Sequence, residues 1–169
     1  PSADTVAPSA PSASGGTAAA AAQYELLSGL QDCESYLFGK YVPPGASVLD
    51  MGVGAGRTTT WLAQRAGRYV GADYARAMVD ACRRRFPELE FVQCDATDMT
   101  AFAPESFDVM VFSFNGVDHI SDEEGRARCF REVARILRPT GVFIFSSHHA
   151  RQLAVWPSFA GGRPHQLAW

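Results

Sequence analysis

Val48-Leu49-Asp50-Met51-Gly52-Val53-Gly54-Ala55-Gly56 is a short apolar run that ends in an acidic residue and passes directly into three alternate glycines. Arg57-Thr58-Thr59-Thr60-Trp61-Leu62-Ala63 follows with the look of a helix opening. A strand that turns through glycine into a helix lets a ligand approach bare backbone and offers it the N–H groups of the helix start. The dinucleotide form of this turn needs G-x-G-x-x-G. Here that third position is Arg57, so the spacing disfavours a nucleotide-dependent oxidoreductase.

The rest of the chain continues as an alternation of elements. Strands are expected at Ser47–Met51, Arg68–Ala72, Glu90–Cys94, Phe107–Phe112 and Val142–Ser146, with helices at about 57–66, 76–85 and 122–137. Residues 97–105 hold only a short or irregular crossover. Alternating strands and helices imply parallel pairing. The expected fold is therefore α/β, a doubly wound, Rossmann-like, mostly parallel sheet with helices on both faces. The helix at 122–137 has Ser121 and Glu124 as a capping box, a stripe of Phe130, Val133, Ala134 and Leu137, and Pro139 with Gly141 to close it.

Upstream, residues 1–16 are rich in Pro, Ser, Ala and Gly and read as a disordered leader or linker. The first residue is proline rather than methionine, as expected of a processed product or an excised piece. The single domain is expected over 17–169. It comprises a helical extension at 17–42 (a helix from about Ala18 to Phe38, stopped by Pro43-Pro44-Gly45), a core at 46–149 and an irregular segment at 150–169.

Bulk properties narrow the partners. The 47% hydrophobic and 20% charged residues suit an ordinary globular core, and 169 residues suit one domain. A net charge of −3 gives no drive towards nucleic acid or an anionic membrane. The basic run Arg83-Arg84-Arg85 falls at an expected helix end, where cations are favoured, and reads as a solvated face. Cys33, Cys82, Cys94 and Cys129 lie far apart, arguing against both a zinc site and a disulfide framework. No run has transmembrane length and no secretory signal is visible, so a cytoplasmic setting is expected.

The acidic residue two places before G-x-G-x-G resembles motif I of the class I S-adenosylmethionine-dependent methyltransferases, and later residues extend the resemblance. The second strand runs into Asp73-Tyr74, the third into Asp95-Ala96, and the fourth into Ser113-Phe114-Asn115-Gly116. Leu137-Arg138-Pro139-Thr140-Gly141 is similar to the family's turn into the fifth strand, with Thr140 in place of its first glycine. The resemblance spans about residues 47–147 and is strongest to the small-molecule type of this family.

What the resemblance implies is S-adenosylmethionine as cofactor, with S-adenosylhomocysteine as product. Asp50, Gly52, Gly54 and Gly56 would form the motif I turn. Asp73 would accept both ribose hydroxyls, since an ionised carboxylate can take two parallel donors at about 1.5–3 kcal/mol each; capping the next helix is its plainer role. Tyr74 would pack on the adenine, with Met78 behind it or in the core. Asp95 would accept the adenine amino group beside the Ala96 backbone, and Asp98 reads as a helix cap. Ser113 and Phe114 would flank the methionine part.

Asn115, Asp118 and His119 are placed to orient or deprotonate an acceptor, although Asn115-Gly116 is also good turn chemistry. His148 or His149, at the mouth of the fifth strand, offers a second acid–base group. Adjacent residues of an extended segment point to opposite faces, so a metal site there is not expected. The implied activity is methyl transfer to an O, N or C nucleophile of a small-molecule acceptor; the alternative is a non-catalytic cofactor-binding module. After His149 the chain lacks two strand-length runs for the family's C-terminal antiparallel hairpin, so a fragment or a missing hairpin is expected. The fifth strand would then be an exposed edge, open to self-association or a partner.

Overall fold

Every residue of Ser47–Met51 is buried, as a central parallel strand covered on both faces requires. This strand, β1, follows helix α1 (Asp32–Tyr41) and precedes α2 (Thr59–Arg65), β2 (Arg68–Asp73), α3 (Arg76–Arg85) and β3 (Glu90–Gln93). Then come β4 (Phe107–Phe112), a 3-10 turn (Gly116–His119), α4 (Glu123–Ile136) and β5 (Leu137–Phe145). The computed structural model describes residues 29–148. The expected leader, residues 17–28 of the expected helical extension and residues 149–169 lie outside the described residues.

The five strands form one sheet in the order β3-β2-β1-β4-β5, and every pairing is parallel. Alternation along β1 divides the core. Leu49 and Met51 join Met99, Phe107, Met110, Cys129, Val133 and Ile136 on the α4 side. Val48 joins Phe38, Leu62, Val79 and Cys82 on the side of α1, α2 and α3. The chain steps outward from β1 through β2 to β3, then returns to β4 on the other flank. The carboxyl ends of β1 and β4 therefore border the reversal point at which open α/β sheets bind ligands.

Three expectations about elements need correction. Within the described part of the helix expected to reach Phe38, the backbone is not helical before Asp32: Gly29 has φ +82° and Gln31 is extended, and α1 runs from Asp32 to Tyr41. The N-cap of α4 is Asp122 rather than Ser121, its carboxylate accepting the Gly125 N–H at 2.6 Å. Asp122 is the better cap because an ionised side chain one residue later reaches the same first-turn donors.

β5 starts at Leu137, five residues before its expected beginning. Pro139 and Gly141 thus lie inside the strand, where the register slips between Phe107↔Leu137 and Val109↔Val142. Proline is tolerated there because, among the described residues, β5 pairs on one side only. Asp108 braces the irregularity, accepting from the Ser47 N–H at 2.8 Å and the Arg138 guanidinium at 2.5 Å. The crossover at 97–105 is irregular, as expected. Asp98 caps no helix; its carboxylate accepts the Thr100 N–H within a turn.

Candidate functional site at the carboxyl ends of the strands

Gly52, Gly54 and Gly56 all have positive φ, at +65°, +56° and +87°. Glycine adopts such angles without the steric cost a Cβ would add. Two of the three positions are also shaped by packing. A Cβ on Gly52 would meet the Phe112 ring at 2.6 Å, and one on Gly56 would meet the Phe86 ring at 2.5 Å. The Phe112 ring also fills the space beside Gly116, where an added Cβ would lie 1.9 Å from it. The aromatic end of β4 is thus lodged between the glycine turn and the start of the 3-10 turn.

Hydrogen bonds hold this loop from behind. The Val53 N–H donates to the Ala72 carbonyl at 3.0 Å, and the Gly54 N–H donates to Asp73 Oδ2 at 2.9 Å. The other Asp73 oxygen accepts the Ala75 N–H at 2.8 Å, which starts α3. Asp73 thus joins the glycine turn to the end of β2. A carboxylate has about four acceptor positions, so these two bonds leave capacity for a pair of hydroxyls. Burial pushes the Asp73 carboxyl above its ordinary value, opposed by the two N–H donors and by the charge of His119 nearby.

Asp50 faces inward. It is 1% exposed, and its Oδ2 accepts from Thr58 Oγ1 at 2.7 Å and from the Tyr69 hydroxyl at 2.9 Å. Tyr69 and Thr59 continue the network, their hydroxyl oxygens 2.9 Å apart. Burial pushes the Asp50 carboxyl up to about 6. The side chain ties β1 to the start of α2 and to β2, beneath the turn rather than on its ligand side.

Across the turn, Phe114 and Asn115 both have left-handed backbone, at φ +56° and +60°. Gly52, Val53, Gly54, Ala55, Arg57 and Thr58 line one cleft together with Ser113 and Phe114. Arg57, which the sequence reading used only to exclude a dinucleotide, has a position of its own. Its guanidinium forks onto both Glu34 oxygens at 2.6 and 2.5 Å, donates to the Gly29 carbonyl and lies 5.3 Å from the centre of the Phe114 ring. The pair fastens α1 to the glycine turn. A larger hollow on the far side of Arg57 is lined by Gly29, Leu30, Trp61 and Arg85. It contains none of the strand-end residues.

The remaining candidates are spread along the same edge. Tyr74 is 74% exposed just beyond β2, whereas Met78 is buried with Ala55 and Ala81 beneath the turn. Asp95 is exposed after β3 and accepts the Thr97 N–H at 2.7 Å, while Ala96 is buried. His119 is exposed, and its ring makes no hydrogen bond among the described residues. His148 instead meets Asp118, with its ring Nδ1 2.9 Å from Asp118 Oδ2 and its backbone N–H donating to the same oxygen at 2.6 Å. His149 lies outside the described residues.

Among the described residues no group of three or more His, Cys, Asp or Glu is arranged to hold a metal ion. No described helix is long and apolar enough to cross a membrane.

Comparison with known proteins agrees with this architecture. The family model described as "Methyltransferase domain" matches residues 48–141. A demethylmenaquinone methyltransferase of Clavibacter sepedonicus is 33% identical over 100 residues, covering 57% of this chain and 39% of its own length. A 2-phytyl-1,4-naphtoquinone methyltransferase of Thermosynechococcus vestitus is 35% identical over 106 residues, covering 59% of this chain and 45% of its own. The solved structure of a TehB-like S-adenosylmethionine-dependent methyltransferase from Corynebacterium glutamicum superposes with a TM-score of 0.60 at 28% identity. That match covers 70% of this chain and 63% of the other. The chain spans less than half the length of these two curated relatives.

Proposed function

The chain belongs to the methyltransferase domain family, and on that footing we propose that it binds S-adenosylmethionine and directs methyl transfer to an O, N or C nucleophile of a small-molecule acceptor. One observation carries the reading: the Gly52–Gly56 turn faces Ser113 and Phe114 across a cleft at the reversal point of the sheet, with Asp73 at the next strand end. The chemistry of this donor set fits the cofactor. Backbone at positive φ and the Arg57 guanidinium offer donors to an amino-acid group. Asp73 keeps acceptor positions for ribose hydroxyls, and Asp95 stands where an adenine amino group needs an acceptor.

When bound, the cofactor supplies an electrophilic methyl group on a positively charged sulfur. The protein's part is to hold and align. Asp73 and the glycine turn fix one end, Tyr74 covers the base from the solvent side, and Met78 supports the turn from below. Ser113 and Phe114 border the end from which an acceptor approaches, and His119 and His148 are the acid–base candidates there. Alignment of this kind is worth roughly 7–11 kcal/mol in favourable cases. Both curated relatives are named for quinone substrates, which supports a small-molecule acceptor here. Cys82, Cys94 and Cys129 are buried and form no disulfide among the described residues, in keeping with a reducing, cytoplasmic setting.

Calorimetric titration with S-adenosylmethionine and, separately, NAD tests the reading. Micromolar binding of the first, none of the second, and loss of binding in a folded Asp73→Ala chain are the expected results. A folded wild-type chain that binds neither would sink it.

A further inference from the structure

His148 lies just after β5, across from the 3-10 turn that follows β4, and two side chains, Asp118 and Asn115, converge on it. The Asp118 carboxylate sits 2.9 Å from Nδ1 and also accepts the His148 backbone N–H. The other Asp118 oxygen accepts the Ser147 hydroxyl at 2.7 Å. On the far side of the ring the Asn115 side-chain nitrogen is 3.2 Å from Nε2. Burial works against the Asp118 charge, but the His148 backbone, the Ser147 hydroxyl and the His148 ring together hold its carboxyl below the ordinary range. Asn115 is itself fixed, because its backbone N–H donates to Ser146 Oγ at 2.8 Å.

These contacts select one tautomer. A carboxylate only accepts, so Nδ1 carries the proton; an amide nitrogen only donates, so Nε2 presents its lone pair. The second nitrogen is left as an acceptor by construction, on an imidazole that is 68% exposed and meets Asn115, the residue that follows Ser113 and Phe114 of the cleft lining. Among the described residues no such pair of hydrogen bonds holds the His119 ring.

We infer that His148 is the general base of this site, with Asp118 as its positioning residue, and that the acceptor is a weakly acidic hydroxyl compound of the phenol or hydroquinone class. The inference rests on the methyl-transfer reading above. An amine free base or a thiolate needs no such base, whereas a hydroxyl of high pKa does. In the step, the acceptor oxygen forms a bond to the methyl carbon while the carbon–sulfur bond breaks and its electron pair stays on sulfur. The hydroxyl proton passes to His148 Nε2. The resulting imidazolium is paired with Asp118 and later releases the proton to water. Asn115 moves aside from Nε2 or shares it as the hydroxyl arrives.

Two measurements on the full chain test this. Nitrogen-15 NMR of the imidazoles should show His148, assigned by its disappearance in His148→Gln, as the Nδ1–H tautomer, and a mixture in Asp118→Asn. Turnover is followed as S-adenosylhomocysteine release with catechol, hydroquinone and 1,4-dihydroxynaphthalene as probes. His148→Ala should lose roughly 100-fold or more in kcat with unchanged cofactor affinity by calorimetry, and added imidazole should restore part of the loss. Asp118→Asn should lose less, in kcat rather than KM. An Nε2–H tautomer in the wild type, a His148→Ala chain with wild-type kcat, or no turnover of any hydroxyl probe by cofactor-loaded wild type each overturns the inference. Failure of the wild type to bind the cofactor is a different result and withdraws the parent reading.

Discussion

Replacing Asp50 by asparagine should remove a loss of stability that the wild-type chain suffers as pH rises through about 6. The Asp50 carboxyl is lifted from its ordinary 3.8 to about 6, chiefly by burial and despite hydrogen bonds from Thr58 and Tyr69. The folded chain therefore holds this proton more tightly than the unfolded chain. Below the unfolded value the contribution is fully present; it declines above 3.8 and is gone once pH passes the folded value. At 1.36 kcal/mol per pH unit, the loss amounts to about 3 kcal/mol. Asparagine keeps a carbonyl oxygen for the Thr58 and Tyr69 hydroxyls but never ionises.

The assay is urea denaturation of both chains by circular dichroism between about pH 4 and pH 7.5, the range over which the linkage acts. Asp108, Asp118 and Glu132 have lowered carboxyls and so stabilise the fold in the opposite sense as pH rises. They are present in both chains and cancel in the difference. The advantage of Asp50→Asn over wild type should grow by about 2–2.5 kcal/mol across the series, the rest of the loss falling below about pH 4. Parallel curves, or a growing advantage for the wild type, would refute the picture of an ionised carboxylate held beneath the turn at a cost.

Other substitutions probe the site's supports. Gly52→Ala should cost about 1–3 kcal/mol and abolish cofactor binding, because φ is +65° and the new Cβ lies 2.6 Å from the Phe112 ring; calorimetry and a thermal melt report both, and unchanged binding would contradict it. Glu34→Gln should cost about 1–3 kcal/mol and speed hydrogen exchange in α1 while sparing β1, since Glu34 is the bidentate partner of Arg57. Arg135→Met should loosen the 97–105 crossover, whose Met99 and Phe102 carbonyls accept from that guanidinium at 2.8 and 2.9 Å. Hydrogen exchange confined elsewhere would count against that latch.

The fold was legible because a parallel sheet announces itself through buried runs. Ser47–Met51 and Phe107–Phe112 are read from their apolar density, and the structure keeps those bounds. Boundaries governed by single hydrogen bonds were less legible. Ser121 and Asp122 are both good caps, and which one serves depends on a bond to Gly125 that no pattern announces. β5 begins early because Asp108 can brace Arg138 across an irregular register. Pro139 and Gly141 inside β5 look, in sequence alone, like a helix stop.

The glycines show how a motif can be found for one physical reason and built for several. Alternate glycines before a helix predict bare backbone beside a ligand, and the positive φ at all three positions accords with that. Yet the space beside Gly52 is taken by the Phe112 ring and the space beside Gly56 by the Phe86 ring, so selection for packing would retain both glycines without any ligand. The groups that distinguish this site from a bare turn are paired across the chain. Arg57 meets Glu34 over 23 residues, and His148 meets Asp118 over 30. Neither pair has a period or spacing to betray it: α1 reaches the glycine turn because it packs on the same face of the sheet as α2, and β5 lies beside the 3-10 turn only because it pairs with β4. Sequence could nominate His148 and Asp118 separately as acid–base candidates. Only topology gives one of them a fixed tautomer, and that is the step from a histidine near a cleft to a histidine with a direction for its proton.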